Sequence, residues 1–387
     1  MDKLTFDFHK PFRLQAATNS GKNVCGTCSS CRGCRSCDYD CKSNRSQNEP
    51  QDPGEDGSEF YIQWHITHRC TQQCKHCYGE TGLELGDNDL LRIAEKLLTF
   101  VETCDRKLLV VLTGGEPLLR PETVIRLVKS LGATVRCELL STGHPLHSSP
   151  DLLPRLKALQ TLKRIQFSLD GPRSVHDAIR SPGSFDSTLQ ALKLVGDAGF
   201  ETALMMTLSK RNAASIVEVH EIANDLWGNA RKRLGFDRFT PCGQSATKEE
   251  TSQVCTKEEF KAACEAALAW RAKHGWGNNG MFRPLHCLLD PEAGAACSVG
   301  ISGLTIMPDG VVYPCRRLPV SLGNALHDDL LELWLENSFL NKMRNPTSVA
   351  ACVSCQHLHI CRGCRAAAYA MSGDAFGSDP HCWQASS

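Results

Sequence analysis

Three cysteines, Cys70, Cys74 and Cys77, stand in one short stretch, His65-Ile-Thr-His-Arg-Cys-Thr-Gln-Gln-Cys-Lys-His-Cys-Tyr78, with the spacing C-x3-C-x2-C and no fourth cysteine close by. Thiolates are the soft ligands that iron–sulfur clusters take. Three of them on a cluster leave one iron without a protein ligand, able to hold a substrate or cofactor as a catalytic zinc keeps an open position. Two blander chemistries fit the same residues: a loop of reduced thiols, or a zinc site completed by His65, His68 or His76.

The chain carries 22 cysteines. In a protein of this length with no export pattern they point to metal or catalysis rather than to disulfides. A second group runs Cys297-x12-Gly310-x4-Cys315, then Cys352-x2-Cys355-x5-Cys361-x2-Cys364, then Cys382. A third lies near the start, at Cys25, Cys28, Cys31, Cys34, Cys37 and Cys41. Its last four members, Cys31, Cys34, Cys37 and Cys41, have the C-x2-C-x2-C-x3-C run of bacterial ferredoxins, with Lys42 where the proline would stand. That ferredoxin run sends its fourth cysteine to a different cluster, so the ligand set stays open. Small Gly, Ser and Arg spacers also resemble the core of a ribosomally made peptide, and a zinc-binding or disordered tail is a further reading. The segment Cys-Arg-Gly-Cys-Arg occurs at 31–35 and again at 361–365, which favours metal for the first copy. Cys104, Cys137, Cys242, Cys255 and Cys264 fall in or beside regular elements and read as buried structural thiols.

Further motifs follow the first triplet in order. Thr113-Gly-Gly-Glu-Pro117 comes directly after an apolar run, and Gln166-Phe-Ser-Leu-Asp-Gly171 is followed by His176 and Arg180. Together with the cysteines these resemble the radical S-adenosylmethionine (radical SAM) superfamily, in its peptide-modifying branch, with the SPASM extension from Cys297 onward. The resemblance spans about residues 60–387. It implies that Cys70, Cys74 and Cys77 hold a [4Fe-4S] cluster and that SAM binds the open iron. His76 would lie beside the adenine, while Gly114, Gly115 and Glu116 would receive the SAM amino group. Ser168 and Arg180 would meet its carboxylate, with Thr142 and Asp170 on the pocket wall.

The resemblance also implies two auxiliary clusters. Cys352, Cys355, Cys361 and Cys382 would bind one; Cys297, Cys315 and Cys364 the other, its fourth ligand being Cys287 or missing. The family usually has three residues between the cysteines matching Cys361 and Cys364, where this chain has two. The anaerobic sulfatase-maturating members place an aspartate after the cysteine matching Cys315, where this chain has Arg316. The implied activity is reductive cleavage of SAM to a 5′-deoxyadenosyl radical and oxidation of a peptide or small protein, by thioether or carbon–carbon cross-linking rather than formylglycine formation. The implied donor is a one-electron carrier such as ferredoxin or flavodoxin. Modification of a tetrapyrrole or other cofactor is the alternative enzyme, and an iron–sulfur electron carrier the non-enzymatic one.

These motifs need a scaffold, and from residue 60 the pattern supplies repeated strand–helix units. Phe60, Ile62, Trp64 and Ile66 alternate with polar residues as a half-buried strand does. Strands are predicted at 108–112, 135–140, 164–169, 202–208 and 238–240, with helices at 87–104, 121–132, 151–159, 185–198 and 214–227. About six units imply a parallel α/β sheet with right-handed crossovers, shorter than a full eight-unit TIM barrel. The resemblance makes it a partial (β/α)6 barrel followed by a small cysteine-rich SPASM domain. Each motif then falls at the carboxyl end of a strand, where such folds carry their sites. A capping box, Thr256-Lys-Glu-Glu259, opens an amphipathic helix over 257–274, and Pro308-Asp-Gly310 signals a hairpin between 304–307 and 311–313. The expected organisation is an arm and linker over 1–59, the barrel over 60–245, a connecting helix over 246–280 and the auxiliary-cluster domain over 281–387.

Lys plus Arg and Asp plus Glu both total 43, so no net field attracts nucleic acid or an anionic membrane. No apolar run approaches a membrane span and residues 1–10 lack a signal-peptide pattern. The expected place is the cytoplasm of an anaerobic or microaerobic cell.

Overall fold

The alternation at residues 60–66 becomes β1 (Glu59–His65), whose Phe60, Ile62 and Trp64 are buried under helices while Tyr61 and Gln63 line a cavity on the inner side. The computed structural model describes residues 59–227, 233–276, 297–358 and 361–384. The run continues as β2 (Lys107–Thr113), β3 (Arg136–Leu140), β4 (Leu162–Ser168), β5 (Glu201–Leu208) and β6 (Leu234–Arg238), each parallel to its sequence neighbour. Helices cross between them and cover the outer face, so the core lies between sheet and helices, with Trp64, Leu112, Phe167, Ile93 and Leu97 almost wholly enclosed. This is the parallel α/β sheet that the strand–helix pattern predicts, curved into the open, partial barrel that the resemblance implies.

Beyond the barrel, β7 (Gly303–Ile306) pairs parallel with β1, from Tyr61 opposite Gly303 to Trp64 opposite Ile306. β8 (Val311–Tyr313) and β9 (Gly323–Asn324) follow antiparallel, giving one sheet in the order β6-β5-β4-β3-β2-β1-β7-β8-β9. The Pro308-Asp-Gly310 hairpin therefore extends the barrel sheet instead of standing apart from it.

Several boundaries differ from expectation for local reasons. The sixth strand lies four residues earlier than 238–240, because residues 234–238 pair with β5. A helix at Arg173–Ile179 was not expected. After the hairpin the chain forms two short helices, Leu330–Glu336 and Ser338–Arg344, separated because Asn337 is extended and its side chain caps the second. The helix Asp87–Thr103 begins with Asp87, whose carboxylate takes Arg120, Thr123 and Arg126. The capping box forms as expected, Thr256 and Glu259 each accepting from the other's backbone at the head of Lys257–Lys273. Cys104, Cys137, Cys242, Cys255 and Cys264 are buried free thiols. No helix among the described residues is long and apolar enough to cross a membrane.

One buried histidine ties the last barrel helix, Ile216–Trp227, to Lys257–Lys273. His220 Nδ1 donates to the Ile216 carbonyl at 2.8 Å, and its Nε2 accepts from Arg271 Nε at 3.0 Å, which requires a neutral ring. Burial, seconded by the Arg271 charge, holds its pKa down at about 4. Its contribution is complete above the unfolded value of 6.5 and is lost as pH falls toward 4. Between pH 7 and pH 5 the wild type is expected to lose about 2 kcal/mol more than His220→Gln, read from denaturant midpoints at both pH values. Equal losses in the two proteins would refute it.

Candidate functional site

The three thiols leave the end of β1 on a loop that its neighbours hold by the backbone. Ile66 N donates to Thr113 O, Gly115 N to Thr67 O at 2.8 Å and Glu116 N to Arg69 O at 2.7 Å. That lacing demands glycine twice: a Cβ at Gly115 would stand 2.3 Å from Arg69 O, and one at Gly114, with φ of +148°, 2.4 Å from Thr67 O. On the far side Lys75 N reaches Ile179 O, Ser245 N reaches Cys77 O and Gln244 N reaches Gly79 O. The loop is thus fixed to the turns after β2, β4 and β6.

Glu116 departs from its expected role. It is fully buried, and its oxygens accept from Leu118 N at 2.9 Å, Ser141 Oγ at 2.9 Å, Thr142 N at 2.6 Å and Thr142 Oγ1 at 2.7 Å. The carboxylate clamps the turns after β2 and β3 together rather than facing the space between the loops. Thr142 is held in the same clamp.

Asp170 and Arg180 form the second departure. Asp170 is wholly buried and accepts from Arg180 Nε at 2.5 Å and Thr207 N at 2.9 Å. Although burial opposes its charge, Arg180 and the facing histidines bring its pKa down to about 2. It is a counter-ion behind the pocket rather than its wall. Its partner's remaining nitrogens point the other way: Arg180 Nη1 is 3.8 Å from Cys74 Sγ and Nη2 is 3.4 Å from His76 Nε2. Burial also holds His76 neutral, its pKa lowered to about 4. Ser168 ends β4 on the same rim as Gly114, Gly115 and Thr142.

The thiols fit a cluster. All three are free, and burial pushes Cys74 up to about 11, with the Cys77 and Cys70 thiols adding to the penalty and Arg180 easing it. Iron removes such protons outright and with them the penalty.

The later cysteines collect into two sets. The thiol of Cys352 is raised by burial and then by Cys382, Cys361 and Cys355, which surround it, while Arg365 opposes them. Burial likewise pushes Cys297 up to about 11, with Cys315 and Cys364 contributing. Cys352 thus lies near Cys355, Cys361 and Cys382, and Cys297 near Cys315 and Cys364. Cys287 and Cys31, Cys34, Cys37 and Cys41 lie outside the described residues.

Between the two regions is a cavity of about 280 Å³ bounded by β1, β5, β6 and the cysteine hairpin, with Cys297, Cys315 and Cys364 on its wall. Arg316 crosses it, donating to Gln63 Oε1 at 3.0 Å and to Asp237 Oδ2 at 2.5 Å, with its guanidinium 5.3 Å from the centre of the Tyr78 ring. Arg317 shares Asp237, at 2.8 Å. Gln63, Asp237 and Tyr78 were not among the expected site residues; the one available signal was the polar side of the alternation in β1.

Residues 64–223 match the Radical SAM superfamily and residues 297–365 the SPASM iron-sulfur cluster-binding domain. An AdoMet-dependent heme synthase of Methanosarcina barkeri is 27% identical, over 83% of this chain and 95% of its own. Mycofactocin maturase MftC of Mycobacterium tuberculosis is 26% identical over 84% and 82%, and a PqqA peptide cyclase of Streptomyces rochei 28% identical over 82% and 87%. Among solved structures, anSMEcpe with bound AdoMet superposes with a TM-score of 0.64 at 17% identity, covering 84% of this chain and 94% of that one. Streptococcus suis SuiB bound to its precursor peptide SuiA gives 0.64 at 16%, covering 84% and 76%. The partial barrel, the thiol loop laced to its glycine turn and these matches converge: the chain is an enzyme of the radical SAM superfamily carrying a SPASM iron–sulfur domain.

Proposed function

We propose that this enzyme cleaves SAM reductively and uses the resulting radical to oxidise a peptide or small protein, forming a thioether or carbon–carbon link. The observation that carries the proposal is the free-thiol loop fastened by its backbone to the Gly114-Gly115 turn. The maturase relatives support a peptide as substrate. Cys70, Cys74 and Cys77 would hold the catalytic [4Fe-4S] cluster, which supplies one electron and an open coordination position when bound. Arg180, backed by Asp170, already turns its outer nitrogens toward Cys74, where a carboxylate on that iron would meet them. Gly114, Gly115, Thr142, Ser168 and His76 complete the pocket, with Glu116 holding its shape. Cys352, Cys355, Cys361 and Cys382 would hold one auxiliary cluster and Cys297, Cys315 and Cys364 another, groups that would supply an acceptor for the electron a substrate oxidation releases. A ferredoxin or flavodoxin would supply the first electron, in the cytoplasm of an anaerobic cell.

A second reading is favoured by the heme synthase relatives, whose match covers 95% of the Methanosarcina barkeri protein. It makes a tetrapyrrole the substrate. The deciding experiment is anaerobic reconstitution with iron and sulfide, reduction, and measurement of 5′-deoxyadenosine, followed by mass spectrometry of peptides encoded beside the gene and coexpressed with the enzyme. Formation of 5′-deoxyadenosine with a mass loss of two hydrogens on such a peptide is expected. No 5′-deoxyadenosine would end the enzymatic reading, and a modified tetrapyrrole with untouched peptide would replace the first reading by the second.

A further inference from the structure

We propose that the cavity between β1, β6 and the cysteine hairpin is a carboxylate-binding subsite, with Arg316 and the amide of Gln63 as donors and a carboxylate on the substrate as ligand. This rests on the reading that the chain acts by SAM cleavage, and it names a group that its substrate must carry.

Charge is the first support. Arg238, Arg316, Arg317, Arg362 and Arg365 line the cavity against only Asp237 and Asp379. Asp379 is taken by Arg238, at 2.8 and 3.0 Å, and Asp237 is divided between Arg316 and Arg317. One carboxylate between two guanidiniums leaves Arg316 and Arg317 with Asp237 and the neighbouring Cys315 as their counter-charges. Farther along the wall Arg362 reaches Cys297 O and Arg365 the carbonyls of Ala375 and Gly377.

Hydrogen bonding is the second. The lining side-chain atoms with no partner are Gln63 Nε2, Arg316 Nε, Arg317 Nε and two nitrogens of Arg365. Every one is a donor. Gln63 is only 2% exposed, and its oxygen is spent on Arg316. A buried donor without an acceptor is costly; among the described residues this space is short of acceptors, and a carboxylate offers about four lone-pair sites.

Position is the third. Arg316 follows Cys315 directly and lies over Tyr78, which follows Cys77. A carboxylate held there sits between the two thiol sets, on a molecule that extends toward the barrel rim. Cys297, Cys315 and Cys364 share the wall of this cavity, so the space beside Arg316 and Gln63 takes one arm of a larger substrate and not a whole ligand. The arm is a peptide's terminal or side-chain carboxylate, or the propionate of a macrocycle.

The test uses the reconstituted holoenzyme with SAM and equilibrium dialysis of two probe pairs: N-acetyl-trialanine against its C-terminal amide, and protoporphyrin IX against its dimethyl ester. In one pair the acid is expected to bind at least tenfold more tightly than its neutral form, and that pair identifies the source. Arg316→Gln is expected to shrink the preference below threefold, and Gln63→Glu, which sets a carboxylate where the amide donor stands, to do the same. Iron and sulfide are counted in each variant, and Gln63→Glu carries the comparison where Arg316→Gln has lost a cluster. No acid preference in either pair, or a preference that survives in the variants, overturns the subsite. SAM cleavage measured on the same wild-type preparation separates the two ideas: its absence with the preference intact removes the proposed reaction, not the subsite.

Discussion

Cys77→Ala is expected to lower 5′-deoxyadenosine formation at least a thousandfold, about 4 kcal/mol of barrier, while much of the iron stays with the protein. The substitution removes the bond from Gly79 N to Cys77 Sγ at 3.3 Å, but it leaves Ser245 N on the Cys77 carbonyl and the bonds of Lys75 N and Gln244 N, which keep the path of the loop. What disappears is one of three donors in a set with no convergent substitute among the described residues. On the reading proposed here the later cysteines hold metal of their own, which the substitution does not touch. Iron analysis beside the SAM assay therefore reads the two effects independently. Turnover of SAM near the wild-type rate would show that this loop is not the reductive centre.

Gly115→Ala is expected to cut SAM cleavage about a hundredfold, since displacing a reacting group by about 1 Å costs on that order. The added Cβ would meet Arg69 O at 2.3 Å and His68 O at 2.6 Å, both main-chain atoms that cannot swing aside. The turn after β2 must then withdraw from the cysteine loop and give up Gly115 N to Thr67 O and Glu116 N to Arg69 O. Two lost hydrogen bonds add a stability cost of about 1–3 kcal/mol. Gly86→Ala is the matched control, because a Cβ there meets nothing within 4 Å. The two variants behaving alike in SAM cleavage would mean that the lacing does not position the loop.

Much of the scaffold was legible because its signals are local. Alternation at residues 60–66 gave β1, and the apolar run before Thr113-Gly-Gly-Glu-Pro117 gave β2 together with the turn that follows it. The misses are contacts between distant parts of the chain. Nothing near Gly303 announces that it will pair with Tyr61, about 240 residues earlier. Glu116 was expected to face a ligand because a carboxylate suits an ammonium, but Ser141 and Thr142 from the next strand's turn reach it first. Arg316 was noticed as a departure from a family pattern, yet its bond to Gln63 joins positions 253 apart in sequence.

The pairing of β7 with β1 has an electrical consequence. Four consecutive main-chain partners, Tyr61 to Trp64, weld the strand leading to Cys70 to the first strand of the hairpin whose second strand leads to Cys315. On the reading proposed here, the gap across which an electron passes between the two metal-binding regions is set by a ladder of amides, not by a swinging hinge. Guests must then come and go past the loops at the strand ends, because parting the two regions would tear the sheet itself.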